Sequence, residues 1–324
     1  MANTHSSHLY RSVAQVINSV PTLFFLILLI ACGAFRVSAQ SDVIEQRLTE
    51  VPLPTVPDSL RIPQKRADFI IEHFWDSVSA PKYQTHGFST YTREAVEQAF
   101  SNFISVFPIA SENAHRLAFR NLVAKAENRP DDLAAIAEIA EFYLYTPDSP
   151  VESEDFYIIF LDELLKSPLL DDAARIRPQW QLESAMKNRP GDPATDFAFE
   201  TRNGQQTSLY KEIERNSFPD CSYILIFYDP DCGHCRHVMD RIIIDERVNR
   251  AVAEGTIRVV AIYSGDDREL WDETATSLPA EWCVGYDDGT LQEESAYIIR
   301  DLPTIYLIAS NKTVLKKEAK DLDL

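Results

Sequence analysis

The sequence predicts an all-α helical domain over 64–190 followed by an α/β domain over 191–324, a mixed sheet flanked by helices. Three observations predict it. Between 64 and 188, apolar residues recur at three- and four-residue steps and no strand pattern of any strength occurs. Asn188-Arg189-Pro190-Gly191-Asp192-Pro193 then breaks the helical period with turn-forming residues. Beyond it, compact β-branched and aromatic runs alternate with amphipathic stretches and end in two short runs around Ser310-Asn311.

Composition narrows the function classes. At 324 residues, 45% hydrophobic and 25% charged, the chain has core-forming material for two domains and is too long for a disulfide-stapled scaffold. Nine glycines and no monotonous stretch exclude collagen-like and low-complexity chains. Lys and Arg number 31 against 50 Asp and Glu, giving a net charge of −19. Such a field repels phosphate backbones, so no nucleic-acid partner is expected.

The first residues read as an address. Leu23 to Ala31 is an unbroken apolar run, too short for a comfortable permanent span and preceded by Pro21. Val37-Ser38-Ala39 places small residues where a signal peptidase needs them, so 1–39 is expected to be a signal peptide. Leu29-Ile30-Ala31-Cys32 resembles a bacterial lipobox; on that alternative the signal ends at 31 and a lipid on Cys32 is the membrane contact. Either way the protein is exported, to the periplasm or envelope, where disulfides persist. Residues 40–63, with four prolines between 50 and 63, read as an extended tether.

In the helical segment the first buried face is Ile70, Ile71, Phe74, Trp75 and Val78. A loop over 82–91 leads to Thr92 as an N-cap, with Val96, Phe100, Phe103, Ile104 and Phe107 continuing the period. Helices are expected over 111–127, 130–145 and 153–166, the second opening on Pro130 with Asp131 and Asp132 at its positive end. A sixth, 171–187, contains Pro178 and is expected to kink or split there. The aromatic residues at helical spacing are core, and His73, His86 and His115 lack an i, i+4 partner and read as ordinary.

In the α/β segment, 222–228 (SYILIFY) and 256–263 (TIRVVAIY) are buried strands. One helix is expected over 233–254 and another over 267–276, before strands at 304–309 and 312–317. Asp231-Cys232-Gly233-His234-Cys235 sits where the first strand passes into its helix. That spacing puts Cys232 at the helix N-terminus, where free N–H groups and the dipole favour a thiolate, and Cys235 one turn on, within disulfide reach. Cys232 can therefore attack a disulfide, and Cys235 can resolve the mixed disulfide that forms. His234 adds a donor or partial positive charge that tunes the redox-active pair.

These residues resemble the thioredoxin superfamily, specifically the exported thioredoxin-like disulfide reductases of bacterial envelopes. The matching motifs are Phe227 to Cys235 and, seventy residues on, Asp301-Leu302-Pro303-Thr304-Ile305-Tyr306; the likeness covers about 193–324. It implies that Pro303 is a cis-proline beside the cysteines. The substrate groove would be shaped by Pro303, with Leu302, Gly233 and Tyr228 along it. Thr195-Asp196-Phe197 through Leu209 resembles the extra N-terminal hairpin of the envelope subgroup. The helical part, through Tyr143-Leu144-Tyr145, Asp148-Ser149-Pro150 and Asn188-Arg189-Pro190-Gly191, resembles an uncharacterised helical domain fused ahead of such modules in Gram-negative envelope proteins.

The resemblance implies thiol–disulfide exchange with envelope protein thiols and disulfides, electrons passing through a redox partner protein, and no metal or organic cofactor. It has departures. The buried carboxylate six residues before the first cysteine of thioredoxin is Ile226 here, and Asp231 and Asp229 stand near Cys232 where charge opposes a thiolate. Three alternatives stay open. Cys232, Cys235 and His237, with Cys221, are a candidate zinc set; Asp229 replaces the Thr that a peroxiredoxin would need; and a vestigial redox domain would leave an envelope binding or adaptor protein. Cys221 and Cys283 are read as two separate buried thiols rather than a second disulfide.

Overall fold

Thr92, Ser153 and Asp171 begin their helices in one way: each side-chain oxygen accepts the amide of the residue three on, at 3.2, 3.3 and 2.8 Å. The computed structural model describes residues 47–319, apart from positions 84, 148 and 216–219. The signal-peptide, lipobox and Cys32 readings fall outside those residues. The helices are α1 (Pro63–His73), α2 (Arg93–Ser105), α3 (Glu112–Ala126), α4 (Pro130–Tyr145), α5 (Glu154–Leu164) and α6 (Asp172–Ala185). Their shared core is aromatic, with Phe74, Trp75, Phe100, Phe103, Phe107, Phe119 and Phe160 fully buried. His115 belongs to it, stacked on Phe107 with its Nε2 at 2.8 Å from the Phe107 carbonyl oxygen.

Two expectations change. Part of the expected tether is docked: Leu48 exchanges backbone hydrogen bonds with Thr90 and Thr92 at 2.9 and 2.8 Å, and Val51 is buried in the helical core. The helix containing Pro178 is not split, since α6 runs unbroken through it. Pro178 leaves the Ala174 carbonyl without its helical donor, but Ala174 is exposed, so water can take the donor's place.

The α/β part is a seven-stranded sheet in the order β2-β1-β5-β4-β3-β6-β7. Its strands are β1 (Ala198–Thr201), β2 (Gln206–Ser208), β3 (Ser222–Tyr228), β4 (Ile257–Tyr263), β5 (Cys283–Tyr286), β6 (Thr304–Ala309) and β7 (Val314–Lys316). β3, β4 and β5 run parallel, while β6 is antiparallel to β3 and β1 to β5. β3 is apolar on both faces because each is covered, and two apolar clusters lie on either side of the sheet. Around it pack α7 (Leu209–Glu214), α8 (Gly233–Ile244), α9 (Glu246–Glu254), α10 (Arg268–Thr274) and α11 (Thr290–Glu293).

The single helix expected over 233–254 is two. Asp245 is extended, and its carboxylate accepts the amides of Arg247 and Val248, ending α8 and starting α9. The sequence reading also passed over β5, a central strand only four residues long. It contains Gly285, where a Cβ would lie 2.4 Å from the Phe199 ring, so the glycine that obscures the strand is what lets β1 and β4 close on it.

Candidate active site

β3 delivers the site. It ends at Tyr228, and Asp229 then turns the chain: its carboxylate accepts the amide of Asp231 at 2.8 Å and its carbonyl that of Cys232 at 3.2 Å. The turn leaves Cys232 extended as the N-cap of α8, with its Sγ accepting the amide of Cys235 at 3.2 Å. A negative charge on this sulfur would face the unpaired N–H groups of a helix start. Cys232 is half-exposed, whereas Cys235 is 1% exposed.

Burial sets the chemistry of the second thiol. It pushes Cys235 up to about 12, and the charge of Asp229 acts in the same direction. The Asp229 backbone is also hydrogen-bonded to Cys235, which pulls the other way but does not prevail. Ile226 is fully buried, so the interior below the cysteines carries no carboxylate at that place.

The second motif arrives through β6. Phe227 pairs with Thr304, which brings Pro303 level with the end of β3. The Leu302–Pro303 bond is cis, and the Cys232 thiol donates to the Leu302 carbonyl at 3.9 Å. Thus Cys232, Cys235, Leu302 and Pro303, seventy residues apart in sequence, meet at one sheet end. His234 and Gly233 are exposed on the first turn of α8. Tyr228 differs from its expected place along the groove: it is buried, with its ring 6.3 Å from that of Tyr263, and forms the floor beneath the site.

The remaining cysteines are elsewhere. Cys221 precedes the seven-residue β3, roughly 20 Å from its other end at about 3.3 Å per residue, so it cannot complete a zinc set with Cys232. Among the described residues no group of three or more His, Cys, Asp or Glu is arranged to hold a metal ion. β4 lies between β3 and β5, and two strand spacings of about 4.8 Å exceed the Cα reach of a disulfide between Cys221 and Cys283. Burial raises the Cys283 thiol to about 12, as at Cys235. One residue of the site region escaped the sequence reading altogether: Arg300, whose only signal was being the sole cation between 291 and 311.

Residues 32–188 match the model of a domain of unknown function (DUF5106). A thioredoxin-like protein from Bacteroides caccae ATCC 43185 is 29% identical, with a TM-score of 0.72 over 84% of this chain and 95% of its own. Conserved protein BF1870 of unknown function, from Bacteroides fragilis, is 33% identical over 41% of this chain and 93% of its own, with a TM-score of 0.37. The thioredoxin domain of thiol-disulfide oxidoreductase BVU-2223 from Bacteroides vulgatus is 16% identical over 41% of this chain and 90% of its own, with a TM-score of 0.35. No curated protein matches the chain. The C-terminal part thus has the thioredoxin-like fold. Ahead of it, the helical part falls within the residues that match the domain of unknown function.

Proposed function

We propose that the protein is a thiol–disulfide oxidoreductase acting on exported proteins through the Cys232–Cys235 pair. The observation that carries this reading is the half-exposed Cys232 sulfur at the start of α8, 3.9 Å from the Leu302 carbonyl and one turn from a buried second thiol. In the reducing direction, the Cys232 thiolate attacks one sulfur of a substrate disulfide, and the other sulfur leaves and takes a proton. Cys235 then loses its proton, attacks the Cys232 sulfur and releases the second substrate thiol. Two electrons and two protons pass to the substrate, and the protein is left with the Cys232–Cys235 disulfide. The reverse sequence oxidises a dithiol, and a partner protein with its own dithiol or disulfide restores the pair.

The Leu302 carbonyl lies beside Cys232, 3.9 Å from its sulfur, where an extended substrate segment can pair with the backbone. His234, on the exposed rim of the first helical turn, can donate to a sulfur as charge moves. Export through the leader region is part of the same reading; among the described residues no helix is long and apolar enough to cross a membrane. The test is the equilibrium reduction potential in glutathione buffers, with Cys232→Ser as control. A reversible two-electron transition between about −100 and −300 mV, lost in the control, is expected. No transition in that range would leave an adaptor with a silent redox domain as the surviving reading.

A further inference from the structure

We propose that the helical part positions the groove beside Cys232 and that Arg300 is the positioning residue, an inference that rests on the exchange reading above. Arg300 lies three residues before the cis-proline. Its side chain is only 9% exposed, yet every partner the structure gives it lies outside its own loop. The guanidinium sits 4.2 Å over the Tyr145 ring, donates to the Tyr145 carbonyl, and pairs with Glu152 at 3.1 Å and with Glu318. Tyr145 closes α4 and Glu152 precedes α5, so two of these partners belong to the helical part; a cation at the last carbonyls of α4 also suits that end of its dipole.

The loop is tied at its other end as well. Lys187 donates to the Ser295 carbonyl at 2.6 Å, and Asn188 to the Ala296 carbonyl at 2.9 Å. Lys317, 6% exposed, pairs with Glu154 at 2.8 Å and donates to the carbonyls of Ala185 and Lys187 at 3.2 and 3.0 Å. The segment from 295 to 303 is therefore held by the helical part at Ser295–Ala296 and again at Arg300, with Tyr297 between them buried in the sheet core and donating to the Thr195 carbonyl at 2.8 Å. Its span beyond Arg300 ends at the Leu302 carbonyl beside the Cys232 sulfur. Apolar contact would hold such a loop with little directional preference. A planar guanidinium shared between a ring face, a carbonyl and two carboxylates holds it in one arrangement, which is the use to which buried ion pairs are best suited.

The test compares the full wild-type chain with Arg300→Met and Arg300→Lys, using three readouts. Hydrogen exchange of the 298–302 amides is expected to accelerate at least tenfold in Arg300→Met. The KM for a disulfide-bonded peptide is expected to rise by roughly ten- to a hundredfold, as misplacement of a binding surface would give. The alkylation rate of Cys232 by iodoacetamide, which needs no groove, is expected to stay at its wild-type value. Arg300→Lys, which keeps the charge without the fork, is expected to fall between the two. Should Arg300→Met not fold, Glu152→Gln removes one charged partner and is expected to raise the same exchange rates and KM by a smaller factor.

Folded variants with wild-type KM and wild-type exchange at 298–302 would overturn the positioning role, and so would a lowered melting temperature with unchanged KM. If the wild type itself exchanges no disulfide, the oxidoreductase reading fails. The exchange rates at 298–302 then decide the anchoring alone: unchanged rates overturn it and faster rates sustain it.

Discussion

Cys232 and Cys235 differ in environment so strongly that a small alkylating reagent should tell them apart. Burial pushes Cys235 up to about 12. At pH 7.5 such a thiol is ionised to only about 3 parts in 100,000, whereas an ordinary cysteine near 8.5 is about one-tenth ionised, a ratio of roughly 3,000. The more basic thiolate is intrinsically the better nucleophile and recovers a factor of roughly forty at a Brønsted slope of about 0.45. About eighty-fold remains, and the 1% exposure of Cys235 adds a steric barrier to it. The reduced protein, treated with iodoacetamide at pH 7.5, quenched over time and digested for mass spectrometry, should carry its first label on Cys232. Cys235 should react at least about a hundredfold more slowly, and Cys283, also held near 12, should lag as well. Labelling of Cys235 within tenfold of Cys232 would refute the assignment of attacking and resolving thiols.

Two further outcomes follow from the same structure. Unfolded thiols ionise near 8.5 while Cys235 and Cys283 keep their protons in the fold, so the unfolded state binds fewer protons and stability falls as pH rises from about 8.5 towards 12. Denaturant titrations at pH 8, 9 and 10 should show a steeper loss in the reduced than in the oxidised protein, because the disulfide removes the contribution of Cys235 while the tyrosines contribute to both; equal slopes would contradict the shift. Gly285→Ala places a Cβ 2.4 Å from the Phe199 ring and 2.8 Å from Ile262 Cδ1, and is expected to lower stability by about 1–3 kcal/mol without changing the alkylation rate of Cys232, read as a drop in urea midpoint.

Local signals made most of this fold legible. Thr92, Ser153 and Asp171 announced helix starts by residue type, and Pro130 with two aspartates announced another, because capping is settled within four residues. The strands 222–228 and 257–263 were visible because strands covered on both faces are apolar throughout. β5 was not, since a four-residue strand holding a glycine has no period to read, and its place is set by neighbours distant in sequence. The break at Asp245 was missed because an aspartate within a helical pattern reads equally as exposed surface. Of the site, the cysteines and Pro303 were legible through their two motifs. Arg300 was not: its partners, Tyr145, Glu152 and Glu318, are as much as 155 residues away, and no local pattern records them. Tyr228 was placed along the groove through the resemblance of its motif, but both faces of its strand are covered and its side chain is buried in the cluster that holds Cys235 and Met239.

The buried position of Cys235 raises the question of how a thiol so hard to ionise can act at all. Ile226 offers no proton acceptor from below, and the Asp229 carboxylate opposes ionisation of the thiol. Proximity answers it. Once Cys232 is joined to a substrate, Cys235 lies one helical turn away, and intramolecular effective concentrations of about 10⁵ M are attainable for well-aligned groups. Even if only about 1 part in 100,000 of the thiol is ionised, that amounts to roughly 1 M of reactive thiolate. An external thiol at about 1 mM, one-tenth ionised, presents roughly 0.1 mM. Internal resolution therefore outruns external attack by about four orders of magnitude even with the proton held tightly. On the proposed exchange reading, burial slows bimolecular reagents at the second sulfur and leaves it competent against the neighbouring Cys232 mixed disulfide. The dependence of that step on proton removal means that resolution, rather than the first attack, should set how exchange quickens as the medium becomes more alkaline.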